Sequence, residues 1–327
     1  GNSESVIYSA CMSITAISIL NNAFCDIEFH VMDCGITEED KRQLLDLCGN
    51  FSNFCRITFY PIDVEKEFVG CQTYRGFSLN PFAYFMFPVV NESVERCIVV
   101  NTDICVVGDM KELNDESLDG NVIGAVPDIG AGAMHKEYAF GCADHKYFNS
   151  GVLLVDCRAW RQQDCTKKLL AIAKKHNQDF YCDQDTLNRL FLGNKYKVLP
   201  FRYNLLFCTN RIKKFFPDLD DMLLKNEWQH AVVLHYAGVK PWDMLVPSLS
   251  TVSTRGYADF WYYASRTKYF VGLFCELLQN NGVPVTVAKL FSSLPSATQR
   301  QQMHDCCYWV SWRTYFKGQA KGWYLAR

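Results

Sequence analysis

The sequence predicts an α/β protein in which helices cover the faces of a sheet. Short β-branched apolar runs recur between longer amphipathic or polar stretches, and Asn, Asp or Gly bounds several of them. The chain of 327 residues, 49% hydrophobic and 21% charged, can also bury a full core.

Taken in order, residues 6–10 (VIYSA) read as a first strand and 27–33 (IEFHVMD) as a second. Thr37, three residues before Asp40, makes a capping-box-like start for a helix running through Leu47. Residues 57–63 read as a third strand. CIVV (97–100) and ICVV (104–107) are two strand-like runs separated only by Asn101-Thr102-Asp103. Further strands are expected at 122–126, 151–156 and 232–236, with one helix from Ala159 to Lys175 and another beginning near Asp183. Beyond Trp242 the composition shifts to aromatic, helical-looking segments, so a main domain over 1–245 and a helical C-terminal extension over 246–327 are expected. No internal repeat or low-complexity linker is present.

A net charge of -2 gives no global attraction for nucleic acid. No run approaches the length of an apolar spanning helix, and the start lacks a basic n-region followed by an apolar stretch, so a cytoplasmic protein is expected. The 16 cysteines include no CxxC pair, which favours reduced, mostly buried thiols over a zinc ribbon or a redox motif.

Four segments carry candidate chemistry. Asn101-Thr102-Asp103 places oxygen ligands at a strand end, suited either to an ordinary Asx turn or to a divalent cation shared with phosphate. Phe148-Asn149-Ser150-Gly151, running into VLLVD, is either a turn before a strand or a polar grip on a sugar hydroxyl at which Gly permits close approach. Asp183-Gln184-Asp185 either complements a helix macrodipole or orients sugar hydroxyls, with the Gln184 carbonyl facing an electron-poor carbon. Residues 235–242 (HYAGVKPW) combine a metal-competent imidazole, a glycine and a lysine, the equipment for a metal diphosphate.

In this order and at these separations, an acidic turn between strands, YFNSGVLLVD, YCDQDTLN and LHYAGVKPW together resemble glycosyltransferase family 8 over residues 6–242. The stretch 141–164 is particularly similar to the bacterial lipopolysaccharide branch of that family. The resemblance implies a single GT-A, Rossmann-like fold with a mostly parallel central sheet. It also implies transfer of galactose or glucose from a UDP-sugar with retained configuration, using Mn2+ or Mg2+, to a glycan or lipid-linked acceptor. By position, Asp103 and His235 look like metal ligands, with Asn101 at the place of the family's first aspartate and Thr102 between them. Asp128, Asn149, Asp183 and Gln184 then surround the transferred sugar, Gln184 facing the anomeric carbon, while Gly238 and Lys240 contact the diphosphate.

Three features depart from the family pattern. Asn101 removes a carboxylate, and Met86 stands where an arginine is commonly found near the donor. The first strand also runs into CMSITAISIL without the usual nucleotide-binding loop, so a missing loop is expected between Ala10 and Cys11. The segment from Arg300, with Arg313, Lys317, Lys321 and Arg327 among Trp309, Trp312, Tyr315, Trp323 and Tyr324, suits either a packed helix or the headgroup region of an anionic bilayer. A catalytically degenerate nucleotide- or glycan-binding protein of the same fold is the rival expectation, motivated by Asn101 and Met86.

Overall fold

The computed structural model describes residues 3–51, 55–74, 78–128, 147–176, 181–193, 195–206, 221–237, 240–243 and 251–280. The chain opens with helix α1 (Ser3–Asn22) and continues through β1 (Ile27–Asp33), α2 (Glu38–Gly49) and β2 (Cys55–Pro61). Next come β3 (Arg96–Val100), β4 (Ile104–Val106), β5 (Ile123–Pro127) and β6 (Phe148–Asp156). Helices α3 (Cys157–Gln162), α4 (Cys165–Lys175) and α5 (Cys182–Phe191) precede the short strands β7 (Lys197–Val198) and β8 (Leu205–Leu206). The order closes with α6 (Asp221–Gln229), β9 (Val233–His235), α7 (Thr251–Ala264) and α8 (Phe270–Asn280).

The expected strand at 6–10 is instead part of α1, which runs without interruption through Ala10 and Cys11. From Ser9 to Leu20 every residue except Met12 is buried. A helix apolar or small on all sides shows no 3.6-residue period, and its first residues then read like a short strand. Small polar side chains of α1 complete the backbone hydrogen bonding of β4: the Thr15 hydroxyl donates to Ile104 O (3.0 Å), Val106 N–H donates to Ser18 Oγ (2.9 Å), and Asn22 Nδ2 donates to Val106 O (3.0 Å). The second reading that the structure revises is the single helix from Ala159 to Lys175. It breaks at Gln163-Asp164, where Asp164 adopts φ 51°, a left-handed conformation that Asp tolerates better than most residues. The α2 start is as read, with Thr37 Oγ1 accepting from Asp40 N–H (3.2 Å).

The Rossmann-like α/β class holds, but the pairing is more mixed than the expected mostly parallel sheet. β1–β2, β5–β7 and β8–β9 are parallel, whereas β3–β6, β5–β6 and β4–β9 are antiparallel. Strands buried on both faces have the same apolar composition in either direction, so composition does not report polarity. β6 lies inside the order β3-β6-β5-β7, with its first eight residues buried. One of its faces packs with Phe82, Phe85, Trp160, Leu169 and Leu187, the other with Ile104, Val106 and Val233. A third cluster joins Ile14 and Ile17 of α1, Cys105 of β4, Leu234 of β9, and Trp261, Phe270 and Leu273 of α7 and α8.

Candidate active site

The turn between β3 and β4 is clamped from three sides. Asn101 N–H donates to Gly151 O at the start of β6 (2.8 Å), Tyr236 N–H just past β9 donates to Asp103 O (3.0 Å), and the Thr15 hydroxyl of α1 donates to Thr102 O (2.8 Å). Asp103 therefore holds a fixed carboxylate beside the end of β9. Its Oδ1 lies 3.4 Å from His235 Nε2, and its Oδ2 accepts from the Lys240 ammonium, which also donates to Tyr236 O (2.8 Å). Burial by itself raises the Asp103 carboxyl, but the His235 ring and the Lys240 ammonium outweigh it and hold the group well below the usual carboxylate range.

A bulge at the start of β6 builds the neighbouring part of the site. The register against β5 shifts between Ala125, opposite Leu153, and Val126, opposite Asn149, so Ser150, Gly151 and Val152 are accommodated without ladder partners on β5. Within it Gly151 N–H donates to Asn149 Oδ1 (2.8 Å). A methyl group on Gly151 would lie 2.3 Å from His235 Cε1, so glycine is what lets the imidazole lie against the strand. The close approach anticipated at this glycine is thus made by the protein's own histidine.

Helix α5 docks on the same strand through Asn188, whose side chain accepts from Phe148 N–H and donates to Phe148 O, both at 2.9 Å. One turn earlier on that face is Gln184. Its Oε1 accepts from Asn149 Nδ2 and Ser150 N–H (both 3.1 Å), and its Nε2 donates to Asp128 Oδ2 (2.9 Å). Asn149 Nδ2 also donates to Asp128 Oδ2 (3.0 Å). Asn149 Oδ1 accepts from Asn204 Nδ2 (2.8 Å), and Asn204 Oδ1 meets His235 Nδ1 (2.9 Å). One array of polar contacts therefore runs from Lys240 to Asp103, across the 3.4 Å contact to His235, and on by hydrogen bonds through Asn204 and Asn149 to Gln184 and Asp128.

Asp183 stands beside this array at the start of α5. Its Oδ2 accepts from the Tyr84 hydroxyl (2.9 Å). Burial pushes the Asp183 carboxyl up to about 6, opposed by hydrogen bonds from Tyr84, Ser150 and the helix start. Burial, reinforced by the neighbouring Asp183, raises Tyr84 well above a normal phenol, so Tyr84 is a neutral donor. Tyr147 is raised likewise, by burial first and by Asp185, to which its hydroxyl donates.

The structure brings Asp103, Asp128, Asn149, Asp183, Gln184, His235 and Lys240 together, with Asn101 and Thr102 on the clamped turn. Gly238 and the segment from Arg300 lie outside the described residues. Met86 packs against the apolar cluster around Phe82 and Phe85, and Tyr84, two residues earlier, is the side chain that meets Asp183. Tyr84, Tyr147, Asn188 and Asn204 were not singled out from sequence. Asn188 had a local signal, its i+4 spacing from Gln184, whereas Asn204 is 55 residues from Asn149 and 31 from His235. Among the described residues no three His, Cys, Asp or Glu side chains cluster as a metal site. Asp103 and His235 nevertheless present an oxygen and an imidazole nitrogen to the same point, a donor set that fits a cation taking further ligands from phosphate.

The α/β fold, which sets a carboxylate and an imidazole beside a cluster of side-chain amides, is that of the GT-A glycosyltransferases among solved structures. The particular family follows from comparison: residues 6–245 match Glycosyl transferase family 8, and the chain belongs to that family. Glycosyltransferase GlyB of Streptococcus pneumoniae is 31% identical over 56% of this chain, which spans 41% of that relative's length. The lipopolysaccharide 1,2-glucosyltransferase of Escherichia coli is 28% identical over 71% of this chain and 68% of its own. Among solved structures, the galactosyltransferase LgtC, in complex with donor and acceptor sugar analogs, superposes with a TM-score of 0.65 and 25% identity over 80% of this chain and 93% of its own. The bifunctional glycosyltransferase WbbM shares the fold with a TM-score of 0.66 at 20% identity, over 83% of this chain and 50% of its own.

Proposed function

We propose that the protein is a retaining hexosyltransferase that moves galactose or glucose from a UDP-sugar to a lipopolysaccharide-type or other cell-surface glycan acceptor. The continuous array from Lys240 and Asp103 to Gln184 and Asp128 carries this reading, because it joins a charged end suited to a diphosphate to an amide- and carboxylate-lined end suited to a sugar. Asp103 and His235, with the Asn101 amide oxygen, are the residues to hold Mn2+ or Mg2+. When bound, such a cation neutralises charge building on the departing UDP.

Lys240 and Gly238 bind the diphosphate, and Asp128, Asn149 and Asp183 orient the hexose hydroxyls. Gln184, its carbonyl oxygen held by Asn149 and Ser150, lies beside the oxocarbenium-like anomeric carbon and stabilises it electrostatically. The related glucosyltransferase of Escherichia coli acts on lipopolysaccharide, which supports a lipid-linked acceptor. The basic, aromatic segment from Arg300 to Arg327 then contacts anionic lipid at the cytoplasmic face of the membrane.

Calorimetric titration with UDP, with and without Mn2+, tests the reading. UDP binding strengthened by Mn2+, followed by UDP release from UDP-galactose or UDP-glucose and an α-linked product by NMR, is the expected result. Absence of UDP binding overturns it, and a β-linked product overturns retention. A second reading, a nucleotide-binding protein without turnover, draws on Asn101 and on the Lys240 ammonium held by Asp103. It predicts UDP binding with no UDP release from either donor.

A further inference from the structure

Asn204 is 1% exposed, follows the turn Phe201–Tyr203 and enters β8, which runs parallel to β9 with Leu206 opposite His235. Its amide is the sole hydrogen-bonded link, among the described residues, between Asn149 and His235. Donor and acceptor identities along the array are dictated from its far end. The Asp128 carboxylate accepts only, so the Asn149 amide nitrogen faces it, and the Gly151 N–H confirms Asn149 Oδ1 on the opposite side. Asn204 must then offer Nδ2 to that oxygen, which turns its own Oδ1 to His235 Nδ1. That nitrogen carries the hydrogen, and His235 Nε2 is the nitrogen presented to Asp103.

We propose that Asn204 is a positioning residue that sets the His235 ring and the Asn149 amide together, so that the diphosphate end and the sugar end of the site are oriented by one side chain. The inference rests on the function proposed above only in the names given to the two ends. Hydrogen-bond partners that orient a ligating imidazole typically contribute 10- to 100-fold to its function. Here the same amide also fixes a sugar-facing group.

Two substitutions separate the halves. Asn204→Asp keeps an acceptor for His235 Nδ1–H and removes the donor to Asn149, whereas Asn204→Leu removes both at similar volume. In protein labelled with 15N-histidine, long-range 1H–15N correlation spectra of His235 should show hydrogen on Nδ1 in the wild type and in Asn204→Asp, and loss of that pattern in Asn204→Leu. In titration and turnover, Asn204→Asp is expected to bind UDP within about threefold of wild type while kcat falls roughly 10- to 100-fold, and Asn204→Leu to lose UDP affinity as well. A wild type whose His235 Nδ1 carries no hydrogen overturns the proposal, as does an unchanged kcat in Asn204→Asp. If Asn204→Leu fails to fold, the wild-type spectrum and Asn204→Asp still decide. A wild type that shows the Nδ1 pattern but binds no UDP keeps the geometric inference and removes the proposed function.

Discussion

Gly151 leaves no space for a side chain, since a methyl there meets His235 Cε1 at 2.3 Å and Nδ1 at 2.6 Å. Neither the ring, 3% exposed, nor the β6 backbone has room to yield. Gly151→Ala is expected to cost about 1–3 kcal/mol in denaturant unfolding and to abolish the Mn2+ dependence of UDP binding in calorimetry. Asp183 makes a prediction of opposite sign for stability. Its folded pKa, about 6, lies above the unperturbed 3.8, so the native state holds the proton more tightly than the unfolded chain. That contribution is complete below about pH 4 and is lost as pH rises through about 6. Asp183→Asn should match the wild type near pH 4 and exceed it by about 2–3 kcal/mol above pH 7, while transfer falls at every pH. Equal unfolding midpoints at pH 7.5 would contradict the burial assigned to this carboxyl.

At the scale of elements, α1 covers the edge of β4 and also pins the turn that carries Asp103. The Thr15 hydroxyl donates both to Thr102 O and to Ile104 O. Thr15→Val keeps the shape and leaves these carbonyls without that donor, which should cost about 1–3 kcal/mol in unfolding. UDP affinity is expected to drop with it, because the turn that carries Asp103 loses one of its three clamps. Calorimetry of Thr15→Val beside an α1 surface variant such as Tyr8→Ser, at a position 65% exposed, separates this from general destabilisation. Helix α5 shows the complementary device: Asn188 grips the Phe148 backbone and thereby sets where Gln184 stands one turn away.

Across the molecule, α7 and α8 share a single apolar cluster with α1, β4 and β9. Trp261, 2% exposed, packs edge-on against Phe260, Phe270 and Phe274 there. Trp261→Ala is expected to cost about 3–5 kcal/mol and to shift far-UV circular dichroism and tryptophan fluorescence transitions together. Separate transitions would show that the C-terminal helices unfold independently of the rest.

The sequence by itself determined the α/β class, most strands, the α2 start and the four segments that converge, because these rest on local composition, period and capping. Asn149, Gln184, Asp103 and His235 stood out as polar positions whose local readings stayed open, and it was the resemblance to glycosyltransferase family 8 that gave them roles. Only the tertiary structure decided that residues 6–10 belong to a helix, that half the strand pairings among the described residues are antiparallel, and that Tyr84 rather than Met86 meets Asp183. Burial on all sides erases the periodicity that distinguishes helix from strand, and pairing direction leaves no trace in composition. Asn204 shows the same limit at the site itself. Its role depends on partners 31 and 55 residues away, and such a hydrogen bond exists only once the chain has brought its donor and acceptor together.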